Sequence, residues 1–140
     1  MVFKFNISEK SGKTYKLESE APALVGKELG DNVKGIEISP DLEGYEFKIC
    51  GGSDKAGITM LESIEGFGLK KVLLSYEKGM KKRPKKELKK KRSKNKPKGL
   101  RLRKTVRGKT ISENILQLNL KVVKEGSKKL SEVFAVTKAE

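Results

Sequence analysis

The sequence predicts a mainly β protein, specifically a small antiparallel β-barrel of about six strands with a long basic insertion and little helix. Three observations lead to this prediction. Apolar residues recur at every second position in several short stretches, which is the period of a half-buried strand. Turn residues rich in glycine separate these stretches, as in small barrels and sandwiches. One segment is so rich in lysine and arginine that it is excluded from the core.

The first two strands are expected to form a hairpin. Residues 2–7 carry phenylalanine and isoleucine at alternate positions, and a second alternating stretch containing Tyr15 and Leu17 returns along them. The residues between them include Ser11 and Gly12, which favour a turn.

A helical turn and a second hairpin are expected next. Residues 21–25 are predicted to form one helical turn, because Pro22 lies near its start and Gly26 follows its end. Strands are then expected at residues 33–38 and 45–49, with turn residues between them.

Two further strands complete the predicted barrel. Residues 71–75 include a short apolar run suited to a buried strand, and residues 115–123 alternate so regularly that a helix is disfavoured. The basic segment lies between these two strands in the sequence. It is therefore predicted to be an insertion anchored at both ends, which lowers the conformational entropy lost when it docks.

The positive charge is concentrated in this insertion. The chain has 33 Lys and Arg against 18 Asp and Glu, a formal net charge of +15, and residues 78–109 hold 18 of the basic side chains and one acidic side chain, Glu87. Such a block favours a polyanion, with a solvated linker as the alternative. Residues 81–98 offer only Leu88 for an amphipathic helix, which disfavours a lipid surface. Whether residues 85–93 are helical when bound stays open.

The composition excludes most enzyme classes. The chain has no histidine, and its single cysteine, Cys50, can form neither an internal disulfide nor a multi-cysteine metal site. We therefore expect no enzyme activity, catalytic residue, cofactor, metal or small-molecule substrate. No apolar run approaches the ~20 residues of a membrane span, so we expect no membrane partner and a cytoplasmic location.

Two patterns near the predicted strands have the chemistry of binding segments. Gly51 to Lys55 combines paired glycines that allow close backbone approach, an aspartate suited to a turn and a lysine available for phosphate. From this chemistry alone, a structural loop and a binding loop are equally acceptable. Residues 103–108 place two arginines near the barrel, where each can bind phosphate in a bidentate manner.

These patterns belong to an ordered series that resembles the small-subunit ribosomal protein six family (S-six-e) of archaea and eukaryotes. The series covers roughly residues 3 to 126. It comprises Leu24-Val25-Gly26-Lys27, Gly30-Asp31, Gly44-Tyr45, Gly51-Gly52-Ser53-Asp54-Lys55 with Gly57 and Met60, Lys71-Val72-Leu73-Leu74-Ser75, Arg83-Pro84, Lys104-Thr105-Val106-Arg107-Gly108 and Val122-Val123-Lys124-Glu125-Gly126. The long C-terminal helix and serine cluster of the eukaryotic members are missing, so the resemblance is to the short archaeal-type form.

The resemblance implies a structural, non-catalytic component of the small ribosomal subunit, whose β-barrel packs on ribosomal RNA in the cytoplasm. The implied partners are small-subunit ribosomal RNA and neighbouring ribosomal proteins. We expect a single β-barrel domain at residues 1–126, which includes the RNA-binding insertion at 78–109, and a C-terminal extension at 127–140.

We expect the ribosomal RNA contacts to come from the basic side chains of the insertion and its base. These are Lys81, Lys82, Arg83, Lys85, Lys86, Lys89, Lys90, Lys91, Arg92, Lys94, Lys96, Lys98, Arg101, Arg103, Lys104, Arg107 and Lys109. A second RNA contact is expected at Gly51, Gly52, Ser53, Asp54 and Lys55. The alternatives are an RNA-binding module or RNA chaperone that acts outside the ribosome and, less favoured, a phosphate-chemistry enzyme that uses the loop at 51–55.

Overall fold

A computed structural model of the chain describes residues 2–84 and 93–136. Seven strands, several single 3-10 turns and one short helix make up this part of the chain. The elements are β1 (Val2–Ser8), β2 (Thr14–Glu20), β3 (Asn32–Lys34), β4 (Glu46–Asp54), β5 (Leu69–Leu74), β6 (Leu102–Arg107), β7 (Ile115–Lys124) and α1 (Leu130–Val136). The predicted mainly β fold with little helix is confirmed.

The strands form two sheets. Five of them make a main sheet in the order β2-β1-β7-β4-β3, which curls into a half-barrel, and β5 pairs with β6 in a small second sheet. The pairs are antiparallel, as expected, except that β1 and β7 run parallel. This parallel pair places the first and the last strand of the described chain side by side within the main sheet.

The main core lies on the inward face of the main sheet. Every second residue of the central strands points inward, because side chains alternate between the two faces of a strand. The inward residues of β1, β4 and β7 are 0 to 2% exposed; they are Phe3, Phe5, Ile7, Phe47, Ile49, Leu118, Leu120 and Val122. Period-two alternation in the sequence is therefore the direct source of this core.

The segment after β3 differs from its prediction. A strand was expected across residues 33–38, but β3 ends at Lys34 and Gly35–Glu37 forms a 3-10 turn. The reason is a close approach of two backbones: the Gly35 amide donates to the Tyr45 carbonyl at 2.8 Å, and a Cβ on Gly35 would overlap the Leu42 carbonyl oxygen. The helical turn expected at 21–25 is confirmed as a 3-10 turn at Pro22–Leu24.

The chain after β7 packs on the inward side of the main sheet. Leu130 is 1% exposed and belongs to the main core, and the rings of Phe134 and Tyr15 stack with their centroids 4.9 Å apart. The Tyr45 hydroxyl donates to the Lys128 carbonyl, and burial raises the pKa of Tyr45 above its usual value of 10.0. The division of the chain at residue 126 stays a prediction.

No helix in the described part of the chain is long and apolar enough to cross a membrane.

Candidate nucleic-acid interface

The basic insertion leaves the fold from the hairpin of β5 and β6. The sequence prediction placed it between the strands at 71–75 and 115–123, and placed residues 101–109 at its base. In the structure, Leu102–Arg107 is itself a strand, so the insertion is shorter than expected and connects the paired ends Leu74 and Leu102. The hairpin is therefore the platform on which the basic segment stands.

A small second core anchors both arms of the insertion, the outgoing arm (residues 75–84) and the returning arm (residues 93–101). Leu61, Ile64, Leu74 and Val106 form this core on one face of the hairpin together with Met80, which is 8% exposed. Met80 lies on the outgoing arm, and the half-buried Leu100 on the returning arm packs against the same cluster. Both arms are thus attached to the hairpin by apolar contacts.

The two arms also meet farther from the hairpin. The Ser93 amide donates to the Pro84 carbonyl at 2.9 Å, and the Tyr76 hydroxyl donates to the Pro97 carbonyl. These two contacts hold the described parts of the arms side by side. Residues 85–92 connect the arms beyond Pro84 and Ser93 and lie outside the described residues.

The side chains predicted to bind RNA are exposed on both arms. The outgoing arm carries Lys81, Lys82 and Arg83, and the returning arm carries Lys94, Lys96 and Lys98, all of them exposed. The other predicted RNA ligands of the insertion fall outside the described residues; they are Lys85, Lys86, Lys89, Lys90, Lys91 and Arg92. A phosphate chain that passes the described arms therefore meets cations on both of them.

At the base of the insertion, the predicted basic residues divide into two groups. Arg101 and Arg103 are exposed. In contrast, the Lys104 ammonium donates to the Gly79 carbonyl at 2.7 Å, Lys109 pairs with Glu28 at 2.8 Å, and Arg107 is an ion-pair partner of a buried carboxylate. The structure thus gives the second group partners within the fold.

The buried carboxylate is Asp54 at the end of β4. Its Oδ2 accepts from Arg107 Nε at 2.8 Å, and its Oδ1 accepts from the amides of Ala56 and Ile58 at 2.8 and 2.9 Å. The two charged side chains are only 5% and 12% exposed. Burial alone raises the pKa of Asp54, but the hydrogen bonds from Arg107, Ile58 and Ala56 hold the pKa below its usual value of 3.8. We call this ion pair the inter-sheet clasp, because it joins β4 of the main sheet to β6 of the second sheet.

The second predicted RNA contact is mostly strand rather than loop. Gly51 to Asp54 belongs to β4, and only Lys55 follows the strand. Gly52 is buried, and a Cβ there would lie 2.8 Å from the Met60 sulfur. The Asp54 carboxylate is paired with Arg107 in the clasp. Gly51 and Ser53 are half-buried on the outward face, and Lys55 is exposed.

Among residues 2–84 and 93–136, no group of three or more Cys, Asp and Glu side chains is arranged to hold a metal ion. The described residues of the interface present lysine and arginine cations, amides and other backbone groups. These groups bind phosphate and ribose oxygens.

Gly108, which follows β6, provides a test of the close approach between the second sheet and the turn that precedes it. A Cβ on Gly108 would overlap the Gly66 carbonyl oxygen, so Gly108→Ala should lower the free energy of unfolding by about 1–3 kcal/mol. Gly68→Ala is the matched control, because nothing lies within 4 Å of the Cβ it adds, and it should change stability by less than about 1 kcal/mol. Urea unfolding measures both, and equal effects would contradict the close approach at Gly108.

Comparisons with known proteins agree with one another. The model of the family described as "Ribosomal protein S6e" matches residues 3–135. The small ribosomal subunit protein eS6 of Methanococcus maripaludis strain C5 is 44% identical over 128 residues, which cover 91% of this chain and 91% of that protein. The proteins of the same name from Methanocaldococcus jannaschii and Archaeoglobus fulgidus are 39% identical over 138 residues and 40% identical over 140 residues. These matches cover 98% and 96% of this chain, and 94% and 96% of the respective relatives.

Proposed function

Because the chain belongs to the ribosomal protein S6e family, we propose that it is a structural component of the small ribosomal subunit and binds ribosomal RNA through its basic insertion. Its partners are then ribosomal RNA and neighbouring ribosomal proteins, and its location is the ribosome in the cytoplasm. The family consists of structural ribosomal proteins rather than enzymes. The name of the relatives supports the assembly, and the geometry of the insertion supports the mode of binding.

One observation carries the mode of binding: the two arms of the insertion present exposed cations side by side. Pro84 and Ser93 join the arms through a backbone hydrogen bond. Exposed basic side chains precede Pro84 on one arm and follow Ser93 on the other. Each lysine or arginine that neutralises a phosphate releases condensed counterions, so closely spaced cations favour a polyanion strongly. Two arms held side by side suit folded RNA, which offers phosphates on more than one side.

The anchored base of the insertion improves this binding. Met80 and Leu100 fix the arms to the second core, and the inter-sheet clasp holds the hairpin against the main sheet. Fixing the ends of a segment in advance reduces the entropy it loses on docking. The hairpin thus determines where the charges are presented, and the charges supply most of the affinity.

Neither alternative gains support from the structure of the site. The alternative enzyme would use Asp54, but that carboxylate is buried and paired with Arg107. An RNA chaperone outside the ribosome would use the same charges, so it differs from the proposed function in where the protein resides and not in its chemistry.

Sedimentation separates the ribosomal and extra-ribosomal functions. In a cell extract, we expect the full-length protein to sediment with small ribosomal subunits in a sucrose gradient and to stay there at about 0.5 M salt, since many simultaneous contacts hold an assembled component. A version with the basic residues of 81–98 changed to glutamine should move partly to the top of the gradient. Recovery of the unchanged protein at the top, or with other RNAs, would favour the extra-ribosomal function.

A further inference from the structure

The outward face of the main sheet carries a pair of lysines that the fold itself does not need. Lys48 of β4 and Lys121 of β7 are direct cross-strand partners, and both are exposed. Like charges directly opposite each other on neighbouring strands destabilise a sheet. Neither lysine forms an ion pair with a described residue, whereas Lys4 on the same face pairs with Glu18 at 3.1 Å. An anion placed between Lys48 and Lys121 would relieve their repulsion.

A row of amides crosses the same face next to the lysine pair. Asn119 Oδ1 accepts from Asn6 Nδ2 at 3.1 Å and from Gln117 Nε2 at 3.3 Å. No hydrogen bond between described residues uses the remaining donor, Asn119 Nδ2, or the side-chain oxygens of Asn6 and Gln117. Asparagine is depleted in strands, yet two asparagines stand opposite each other at the centre of this sheet.

The surface beside the amides carries few bulky side chains. Gly51 pairs with Asn119 and adds no side chain, and the bulge between Ile49 and Gly51 leaves Cys50 exposed at the same level. The register places Asn6, Asn119 and Gly51 in one line across three strands, a span of about 10 Å at the usual strand spacing. Such a surface matches the minor groove of an RNA helix, which is wide and shallow and displays ribose hydroxyls.

We propose that this outward face, centred on Asn119, is a second RNA contact that receives the minor groove of an RNA helix. The amides of Asn6, Gln117 and Asn119 hydrogen bond ribose 2′-hydroxyls, and Lys48 and Lys121 bind a phosphate at the edge of the groove. The inference rests on the proposed function, because it presumes that the bound RNA is ribosomal. It extends the second contact expected at residues 51–55 to three strands and moves its centre from β4 to β7.

A charge reversal distinguishes a binding face from an ordinary solvated one. Lys48→Glu places a carboxylate opposite Lys121, so it should leave the thermal stability of the free protein unchanged or raise it. The same change should weaken binding to small-subunit ribosomal RNA at about 0.1 M salt roughly five- to tenfold, the effect of one lost phosphate contact. A stabilised protein that binds RNA less tightly is not the result expected of a lysine with a purely structural role.

Lys129→Glu is the matched control for the charge change. Lys129 is exposed, and it immediately precedes α1, which packs on the inward side of the sheet. This variant should lose less than about twofold in RNA affinity. Equal losses for the two variants would mean that only the total charge matters, and unchanged binding by Lys48→Glu would mean that the face is free; either result overturns the proposal.

The single cysteine provides a second readout on the unmodified protein. Cys50 is exposed on this face beside Gly51, so its alkylation by a maleimide should slow at least tenfold when the protein is bound to small-subunit ribosomal RNA. If the protein binds the RNA but Cys50 reacts at the same rate as in the free protein, the second contact is wrong and the proposed function stands. If the protein does not bind this RNA at all, both fail.

Discussion

Neutralising the basic insertion is expected to lower the salt dependence of RNA binding more than any other change to this protein. When every lysine and arginine from 81 to 98 is changed to glutamine, the slope of log K against log salt should fall by several units. The reason is that each lost phosphate contact removes about 0.7–0.9 from the slope. Glutamine keeps the length of the segment, and Pro84 and Pro97 stay in place, so the contacts between the two arms persist. Titration of small-subunit ribosomal RNA across a salt series measures the effect.

Exposed lysines outside the insertion provide the control. Changing Lys10, Lys13, Lys34 and Lys129 to glutamine removes charge from other parts of the surface, so the slope should change far less for each charge removed. Thermal unfolding should be similar for the two variants, because the described target residues are exposed in both. An unchanged slope in the insertion variant would place the RNA site on Arg101, Arg103 and the outward face of the main sheet.

The strands of the main sheet could be predicted from the sequence because one of their faces is buried. Where one face meets the core and the other meets solvent, apolar residues fall at every second position, as in β1 and β7. That alternation reports burial directly, so it identified the strands that build the core. It does not report which strands are neighbours, and the parallel pairing of β1 with β7 had no local signal.

Strand β6 was missed for a physical reason. Three of its six residues are basic, Arg103, Lys104 and Arg107, and Leu102 is 40% exposed, so the stretch resembled the charged segment before it. It becomes a strand because β5 pairs with it and Val106 fills the second core. Gly51 to Asp54 was assigned to a loop for a related reason: paired glycines favour turns locally, and long-range pairing with β7 overrides that preference.

The predicted roles of the basic residues also depended on contacts that the sequence does not show. Arg107 and Asp54 are 53 positions apart, and only the folded chain brings them together. Without that contact, an arginine in a basic stretch is indistinguishable from its neighbours, so Arg107 was grouped with Arg103 as an RNA ligand. The amide row was missed in the same way, because Asn6 and Asn119 meet only through the β1–β7 register.

Removing the inter-sheet clasp is expected to destabilise the protein more than any change to an exposed ion pair. Arg107→Ala leaves the Asp54 carboxylate buried without its cation, which should lower the free energy of unfolding by about 3–5 kcal/mol. Glu18→Ala is the comparison, because its pair with Lys4 has side chains 53% and 63% exposed and contributes at most about 1 kcal/mol. Urea unfolding at pH 7 measures both, and similar losses would show that the clasp contributes no more to stability than an exposed ion pair.

The dependence on pH separates the charge of the clasp from its packing. The pKa of Asp54 is lower in the folded protein than its usual value of 3.8. The ionised carboxylate therefore stabilises the folded protein fully above pH 3.8, and this stabilisation is lost as the pH falls through the folded pKa. Asp54→Asn keeps an oxygen for the amides of Ala56 and Ile58 but lacks the charge. The stability advantage of the unchanged protein over Asp54→Asn should therefore be constant near pH 7 and shrink below about pH 4. If the unchanged protein stays equally more stable than Asp54→Asn at the lowest pH, the difference comes from the packing of the side chain and not from its charge. The hairpin would then be held to the main sheet by packing rather than by the ion pair.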